Sequence, residues 1–316
     1  MEPLVSVNIA TYNHKLFIVK CIESVLMQKT NFPIEVIIHD DASTDGTSEI
    51  VREYAQKNEN VVAIIQDINL WSKGQNPTVE YGLLSSKGKY IAICDGDDFW
   101  TDEYKLQKQF DFLESNKDFS ICSSNAIVVN EYNRTQTDWL GFRRKNVFLL
   151  RDLLRYGSCG ATCTLFFRTE AIKNIPDWFY ISKGGDWSLQ ILCTTIGKMK
   201  YLNESFAVYR RNEGSITVAK TIEAQILLHE KYGIETIKLL KKYFSSYESE
   251  LQKHEAEYWL YTLAFLYSEK RDFIKVRELI IEIFKKINIL ELPIKKSLFL
   301  LYLYLKSTKS KNDITT

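Results

Sequence analysis

Over its first hundred residues the chain alternates short β-branched runs with polar breaks and amphipathic stretches, and this rhythm restricts the fold more than any other feature. Residues 5–10 (VSVNIA), 34–38 (IEVII), 61–65 (VVAII) and 90–94 (YIAIC) read as strands, with helices expected over 16–28, 43–56 and 77–86. Strand, turn and helix in repetition predict βαβ units: an α/β fold with a mostly parallel mixed sheet flanked by helices. Ligands of such sheets collect beyond the carboxyl ends of the strands. Three of those ends carry polar clusters here: Thr11-Tyr12-Asn13, His39-Asp40-Asp41 and Asp95-Gly96-Asp97-Asp98.

The last cluster carries the most chemistry. Three carboxylates within four residues repel one another, so a cation is expected to neutralise them, most simply a divalent metal with oxygen ligands. A solvated acidic turn is the plain alternative, since Asp and Gly favour turns anyway. Recurrence of polar groups on one sheet edge tips the balance towards a shared site. No G-x-G-x-x-G follows the first strand and no P-loop occurs, which argues against dinucleotide binding and leaves phosphates to be met by a metal.

At 316 residues and 45% hydrophobic content, the chain is long enough for one large domain with an appendage. Lys and Arg number 41 against 40 for Asp and Glu, so no global field recommends nucleic acid as a partner. The six cysteines lie scattered in apolar segments and read as reduced core residues. The opening MEPLVSVNIATYN lacks the basic start and apolar run of a signal peptide, and no run approaches the roughly 20 apolar residues of a membrane span. A cytoplasmic protein is expected.

Three stretches in order, VSVNIATYNHKLFIVKCIESVLMQ, IEVIIHDDASTDGT and GKYIAICDGDDFW, resemble glycosyltransferase family 2, nucleotide-sugar enzymes of the GT-A fold. The resemblance runs over about residues 3–215. It implies that Ala10, Thr11, Tyr12 and Asn13 lie along the nucleotide, with the Tyr12 ring on the base face. It also implies that Asp41 accepts from the base, which favours uracil, while Asp40 braces the turn. Asp95-Gly96-Asp97 matches the family's D-x-D: Asp97 coordinates Mn2+ or Mg2+ at the diphosphate, and Asp95 contacts the ribose or the metal's water shell. Phe99 and Trp100 are expected to pack, and Ser43 and Thr47 to cap a helix.

Further on, Asp186 in Gly184-Gly185-Asp186-Trp187 resembles the general base of inverting transfer, although an N-cap is the simpler reading of that tetrad. Arg210 or Arg211 is expected to bind the diphosphate. Asn212 stands where relatives often have a histidine, and as a metal ligand it is the poorer group. The small residues of 157–162 leave the backbone open to a sugar ring.

From about residue 217 glycine nearly disappears and apolar residues recur at helical spacing, giving an appendage of about four helices. The last, 294–306, is apolar nearly all round and flanked by lysines; it either lies in a membrane interface, at the inner face of the membrane, or packs as a buried or homodimer helix. The division expected is 1–216 for donor binding and catalysis and 217–316 for the helical region. The resemblance implies an inverting transferase moving a hexose or N-acetylhexosamine from a UDP-sugar to a glycan or lipid-linked glycan in surface polysaccharide assembly. The competing readings are a non-catalytic nucleotide-sugar scaffold or sensor, and a sugar nucleotidyltransferase, for which the Gly-rich phosphate loop is missing.

Overall fold

The computed structural model describes residues 2–130, 135–138, 145–182, 185–211 and 221–312, with backbone alone at 135–138, 231, 289 and 308–312. Two compact units emerge, Met1–Leu150 with Ser158–Pro176 and Leu189–Asn212, and Arg151–Gly157 with Asp177–Ser188 and Glu213–Thr316.

The first unit is built on a sheet. Its strands among the described residues are β1 (Val5–Thr11), β2 (Ile34–Asp40), β3 (Val61–Ile65), β4 (Tyr90–Asp95), β5 (Phe99–Trp100), β6 (Phe119–Asn130), β7 (Thr135–Asp138), β8 (Val147–Phe148), β9 (Phe166–Arg168) and β10 (Lys198–Arg211). They run in the order β3-β2-β1-β4-β9-β6-β10-β5, with β7 beside β6 and β8 beside β10. The long pairings, β1 with β2 and β4, β2 with β3, and β6 with β10, are parallel, whereas the short strands β5, β7, β8 and β9 pair antiparallel. The α/β mixed sheet expected from the rhythm is therefore present. Both faces of β1 are buried: Val5, Val7 and Ile9 enter the apolar core on one side, while Ser6 and Asn8 point to the other. On the polar face Ser6 Oγ donates to Glu35 at 2.5 Å and accepts from the Gly88 N–H at 2.8 Å, and Asn8 Nδ2–H donates to Ser86 Oγ at 2.8 Å while Asn8 Oδ1 stays without a hydrogen-bond partner.

Helices α1 (Ile18–Leu26), α2 (Thr47–Lys57) and α3 (Lys105–Ser115) cover the sheet. Residues 77–86 do not form the expected α-helix; a π turn (Thr78–Gly82) passes into a 3-10 turn (Leu83–Ser85). The reason is close approach to the sheet, since a Cβ on Gly82 would sit 2.9 Å from Asn8 Oδ1. Cys163 sits in a 3-10 turn (Thr162–Thr164). The carbonyls of Cys163 and Thr164 are taken by Trp100 Nε1–H at 2.8 Å and Gln109 Nε2–H at 2.9 Å instead of by a neighbouring strand. All six cysteines are buried and free.

Lys105, fully buried at the start of α3, donates to Gln109 Oε1 at 2.6 Å and lies 4.1 Å from the Trp100 ring centroid. Burial pulls its pKa from 10.5 down to about 8, with the Cys122, Cys94 and Cys163 thiols opposing weakly. That displacement amounts to about 3 kcal/mol of unfavourable burial below pH 8. Lys105→Met keeps the volume but leaves Gln109 Oε1 unmet, at about 1–2 kcal/mol. The desolvation term wins, so urea unfolding at pH 7 is expected to show a gain of about 1–2 kcal/mol that shrinks as pH rises from 8 to 10.5. A less stable variant at pH 7 would reverse that ranking.

The second unit is helical. Its helices are α4 (Leu150–Tyr156), whose first residue belongs to the sheet unit, α5 (Asp177–Ile181), the first turn of α6 (Gly185–Thr194), α7 (Ile222–Leu228), α8 (Glu235–Tyr243), α9 (Glu248–His254), α10 (Tyr261–Glu269), α11 (Phe273–Lys286) and α12 (Ile294–Asn312). Single π turns, His229–Ile234 and Glu255–Leu260, join α7 to α8 and α9 to α10, so the described residues 221–312 form four continuous rods. Leu260, Leu263, Val276, Ile280, Ile283, Leu300 and Leu303 form its core. His254 stacks on Tyr258 with ring centroids 5.7 Å apart and meets Trp187 at 5.0 Å. Gly157, at φ 79, leaves room for this ring: a Cβ there would meet His254 Cε1 at 3.0 Å.

Burial lowers the His254 pKa from 6.5 to about 4, helped by the Arg155 charge. An unfolded imidazole takes up its proton near pH 6.5 and the folded one resists to about 4, so stability from this group is complete above pH 6.5 and drains as pH falls through that window. The expected loss is about 3 kcal/mol by pH 4. Melting curves of His254→Phe should lack that share of the acid sensitivity; an unchanged slope would mean that other groups cause it.

Candidate active site

Register places the polar strand ends together. Ala10 pairs with His39 on one side and with Asp95 on the other, and Thr11 pairs with Asp40. Backbone bonds extend the contact past the strands: Gly96 N–H donates to the Ala10 carbonyl at 2.8 Å and Asp41 N–H to the Thr11 carbonyl at 3.0 Å. Ala10, Thr11, Asp41, Asp95, Gly96 and Asp97 thus share one edge.

The Asp95–Asp98 turn closes through Asp98 N–H on the Asp95 carbonyl at 2.9 Å. Gly96 is buried, and a Cβ added to it would stand 2.7 Å from Thr11 Oγ1 and 2.8 Å from His14 Nδ1, so only glycine fits. Thr11 Oγ1, His14 Nδ1 and Asp98 Oδ2 are all buried without a hydrogen-bond partner. Orphaned polar atoms gathered round one turn are unusual, since each costs about 1–3 kcal/mol. Asp98 is 1% exposed, and burial together with the charges of Asp97 and Asp95 pushes its pKa well above the carboxylate range. Asp95 and Asp97 are half-buried. Excess negative charge, hard oxygen donors and unmet polar atoms fit a divalent cation at this corner.

Arg210 braces the turn from behind. Its backbone N–H donates to Asp98 Oδ1 at 2.7 Å, its guanidinium donates to the Asp97 carbonyl, and it lies 4.5 Å from the Phe17 ring centroid. It is 2% exposed, and burial lowers its pKa against the pull of Asp98 and Asp97. Arg211 is exposed, and Asn212 lies outside the described residues. Phe99 sits under Lys20 Nζ at 3.7 Å and Trp100 is buried, so both pack as expected.

At the second strand end Asp40, fully buried, accepts from the Ser43 N–H and from the hydroxyls of Ser43 and Ser48, which makes it the brace of its turn. Asp41 takes the Leu70 N–H on Oδ1 at 2.8 Å and the Trp71 N–H on Oδ2 at 3.0 Å. Each of its oxygens keeps a further lone pair. Tyr12 is 44% exposed at the rim. Ser43 and Thr47 do not cap α2: Ser43 Oγ accepts from the Asn13 N–H at 2.8 Å and Thr47 Oγ1 from the His14 N–H at 2.9 Å, tying the two loops together.

The N-cap position is Gly46, in the left-handed region and without a side-chain cap, and Asp45 just before it closes the turn. Its Oδ1 accepts from the Thr47 N–H at 3.0 Å and its Oδ2 from the Lys15 N–H at 3.0 Å. Burial pushes the Asp45 carboxyl up, but these bonds prevail and hold it below its usual range. Sequence reasoning missed His14. Burial lowers its pKa against the nearby charges of Asp97, Asp45 and Asp40. Its place directly after the polar Thr11-Tyr12-Asn13 break was the available signal.

Asp186 belongs to the helical unit. It stands in the first turn of α6 behind Gly185 at φ 47, and its Oδ1 accepts from the Trp187 N–H at 2.8 Å. Trp187 anchors the turn through Nε1–H on the Leu153 carbonyl at 2.9 Å. Gly160 does not open the backbone to a ligand, because the space of its missing Cβ is filled by Ser123 Cβ at 2.6 Å.

The sequence profile of Glycosyl transferase family 2 matches residues 6–175, more than half of the chain. The chain belongs to glycosyl transferase family 2. A relative in this family, the UDP-Glc:alpha-D-GlcNAc-diphosphoundecaprenol beta-1,3-glucosyltransferase WfaP of Escherichia coli, is 32% identical over 223 residues, covering 69% of this chain and 81% of that one. An uncharacterised protein of Mycobacterium tuberculosis is 31% identical over 212 residues, 65% of this chain, and the match spans 58% of that relative's length. Among solved structures, Staphylococcus aureus TarS 1-349 in complex with UDP-GlcNAc superposes with a TM-score of 0.61 at 17% identity, covering 99% of this chain and 92% of that one. A mannosyltransferase of Pyrobaculum calidifontis in complex with GDP-Man and Mn2+ gives 0.56 at 15% identity, covering 99% and 87%. At these identities the likeness speaks to the fold, which is of the GT-A type.

Within this family 2 chain, the Asp98–Arg210 contact explains why the acidic turn holds its shape. Asp98→Asn keeps an oxygen for the Arg210 N–H and removes a charge disfavoured by burial, so stability is expected to stay within about 1 kcal/mol or rise. Asp98→Ala leaves that N–H unmet and is expected to lose about 1–3 kcal/mol in denaturant unfolding. Equal losses in both variants would show that the charge itself matters.

Proposed function

We propose that the chain is a metal-dependent, inverting glycosyltransferase that moves a hexose or N-acetylhexosamine from a UDP-sugar to a glycan or lipid-linked glycan acceptor in cell-surface polysaccharide assembly. The observation that carries this reading is the acidic turn at the shared strand edge, where Gly96 has no room for a Cβ and the Asp98 carboxyl is raised above the usual carboxylate range by burial and by the charges of Asp97 and Asp95. The UDP-Glc donor and GlcNAc-diphosphoundecaprenol acceptor of WfaP and the UDP-GlcNAc of the TarS complex support a uridine nucleotide donor and a lipid-linked glycan acceptor, and the Mn2+ in the Pyrobaculum complex supports the ion.

Asp97, with Asp95, would hold the ion; among the described residues no three His, Cys, Asp or Glu side chains are grouped for one. One or two carboxylates completed by the donor's own phosphates and water is ordinary coordination for such ions. The ion, when bound, neutralises charge on the departing diphosphate. In this reading Tyr12 covers the base and Asp41 offers its remaining lone pairs to the base N–H. Arg210 keeps the turn in place, and Arg211 is left for the diphosphate. Asp186 takes the proton of the acceptor hydroxyl while that oxygen bonds to the anomeric carbon from the far side, and the bond to the diphosphate breaks with its electron pair leaving on phosphate. Residues 1–216 carry donor binding and catalysis, and 217–316 form the appendage.

A panel of nucleotide sugars incubated with the protein and Mn2+ tests the reading through released nucleoside diphosphate. UDP should appear from at least one UDP-sugar, rise when a suitable acceptor is added, and disappear with EDTA. Release from none of the donors, or release indifferent to EDTA, overturns it.

A further inference from the structure

Helix α12 presents two apolar faces, and the fold uses one. Leu300 and Leu303, at 0% and 2% exposure, pack into the helical core. On the opposite side Ile294, Leu298, Leu301 and Leu305 follow one another at the four- and three-residue steps of a single helix face, exposed by 78%, 61%, 46% and 54%. Tyr302 widens the stripe at 56%, and Leu290 precedes it at 86%. The stripe runs about 16 Å along the helix. Contiguous exposed apolar surface of this kind marks a contact.

Charge identifies the contact. From 292 to 312 the sequence holds five lysines, Lys295, Lys296, Lys306, Lys309 and Lys311, and no aspartate or glutamate, although the whole chain is balanced at 41 basic to 40 acidic residues. Lys296 turns inward and donates to the Glu257 carbonyl at 2.7 Å, whereas Lys295 and Lys306 are exposed on the flank of the stripe. A second copy would bring the same positive charges against themselves. An anionic surface with an apolar interior complements both properties at once. No helix among the described residues is long and apolar enough to cross a membrane, so the contact is one of lying on the bilayer.

We propose that the outer face of α12 docks on the surface of an anionic lipid bilayer, with the leucine stripe in the headgroup–acyl boundary and Lys295 and Lys306 among the lipid phosphates. Flotation of the full chain tests this with phosphatidylcholine vesicles and with vesicles containing about one third phosphatidylglycerol. At low salt the protein should float with the anionic vesicles at least about tenfold more than with the neutral ones, and added salt should reduce that binding. The combined variant Leu298→Glu, Leu301→Glu, Leu305→Glu changes only exposed positions, so its circular dichroism should match the parent while its flotation falls about tenfold. Lys295→Gln with Lys306→Gln should lower binding to the anionic vesicles alone. The proposal is overturned if the parent fails to float, if the folded leucine variant floats as well as the parent, or if light scattering finds a parent dimer that the leucine variant dissolves. In the last case the stripe is a face between copies. Should the glutamates unfold the helix, Leu298→Ser with Leu305→Ser answers the same question.

Discussion

In an Asp97→Ala variant the heat of uridine diphosphate binding in the presence of Mn2+ is expected to vanish, and turnover to fall about a thousandfold or more. The corner offers an ion little else. Asp98 is buried, gives Oδ1 to the Arg210 N–H and is biased towards its neutral form. Among the described residues, that leaves Asp95 and Asp97 as half-buried carboxylates on the turn. Removing one halves the charge that would meet the ion. The fold should be spared, because the Asp97 contact with Arg210 runs through the backbone carbonyl, which alanine retains. Isothermal titration decides the matter: undiminished binding in Asp97→Ala moves the ion elsewhere, and a shifted melting point would mark the side chain as structural.

Asp186→Asn is expected to do the reverse. The amide still offers an oxygen to the Trp187 N–H, so the first turn of α6 is kept and uridine diphosphate should bind as in the parent. An amide cannot take the acceptor's proton. The catalytic rate should therefore fall about 10²–10⁴-fold with little change in donor affinity. Unchanged turnover in this variant removes Asp186 from the chemistry; a parent that turns over none of the donors favours a scaffold or sensor. The family match ends at residue 175, before Asp186 and Arg210, so these two rest more heavily on such tests than the acidic turn does.

Much of the fold was legible because period and punctuation are local properties. The runs at 5–10, 34–38 and 90–94 are extended by one or two residues in β1, β2 and β4, and 61–65 is β3 itself, because short β-branched runs bounded by polar breaks mark strands locally. Legibility failed where a distant contact outweighed local preference. Residues 77–86 are helical in pattern, yet Gly82 meets Asn8 seventy-four positions earlier and the segment takes a wider π turn followed by a tighter 3-10 turn. Thr47 looks like a cap, but the backbone of His14 claims its hydroxyl, Gly46 is the N-cap, and Asp45 ahead of it accepts from the Thr47 N–H.

By itself, then, the sequence determined the alternating architecture, the family, the polar strand ends and the acidic turn, all set by spacing along the chain. Tertiary structure decided how those residues are employed. Parallel register brings Ala10, Asp41 and Asp95 to one edge; packing against Thr11 and His14 makes Gly96 obligatory. Burial turns Asp98 from a ligand candidate into the seat of the Arg210 backbone, and it commits Arg210 to the turn. The physical reason is that the charge state and hydrogen-bond partners of a carboxylate depend on its surroundings in space, and those surroundings come from strands and loops as far as 112 residues apart.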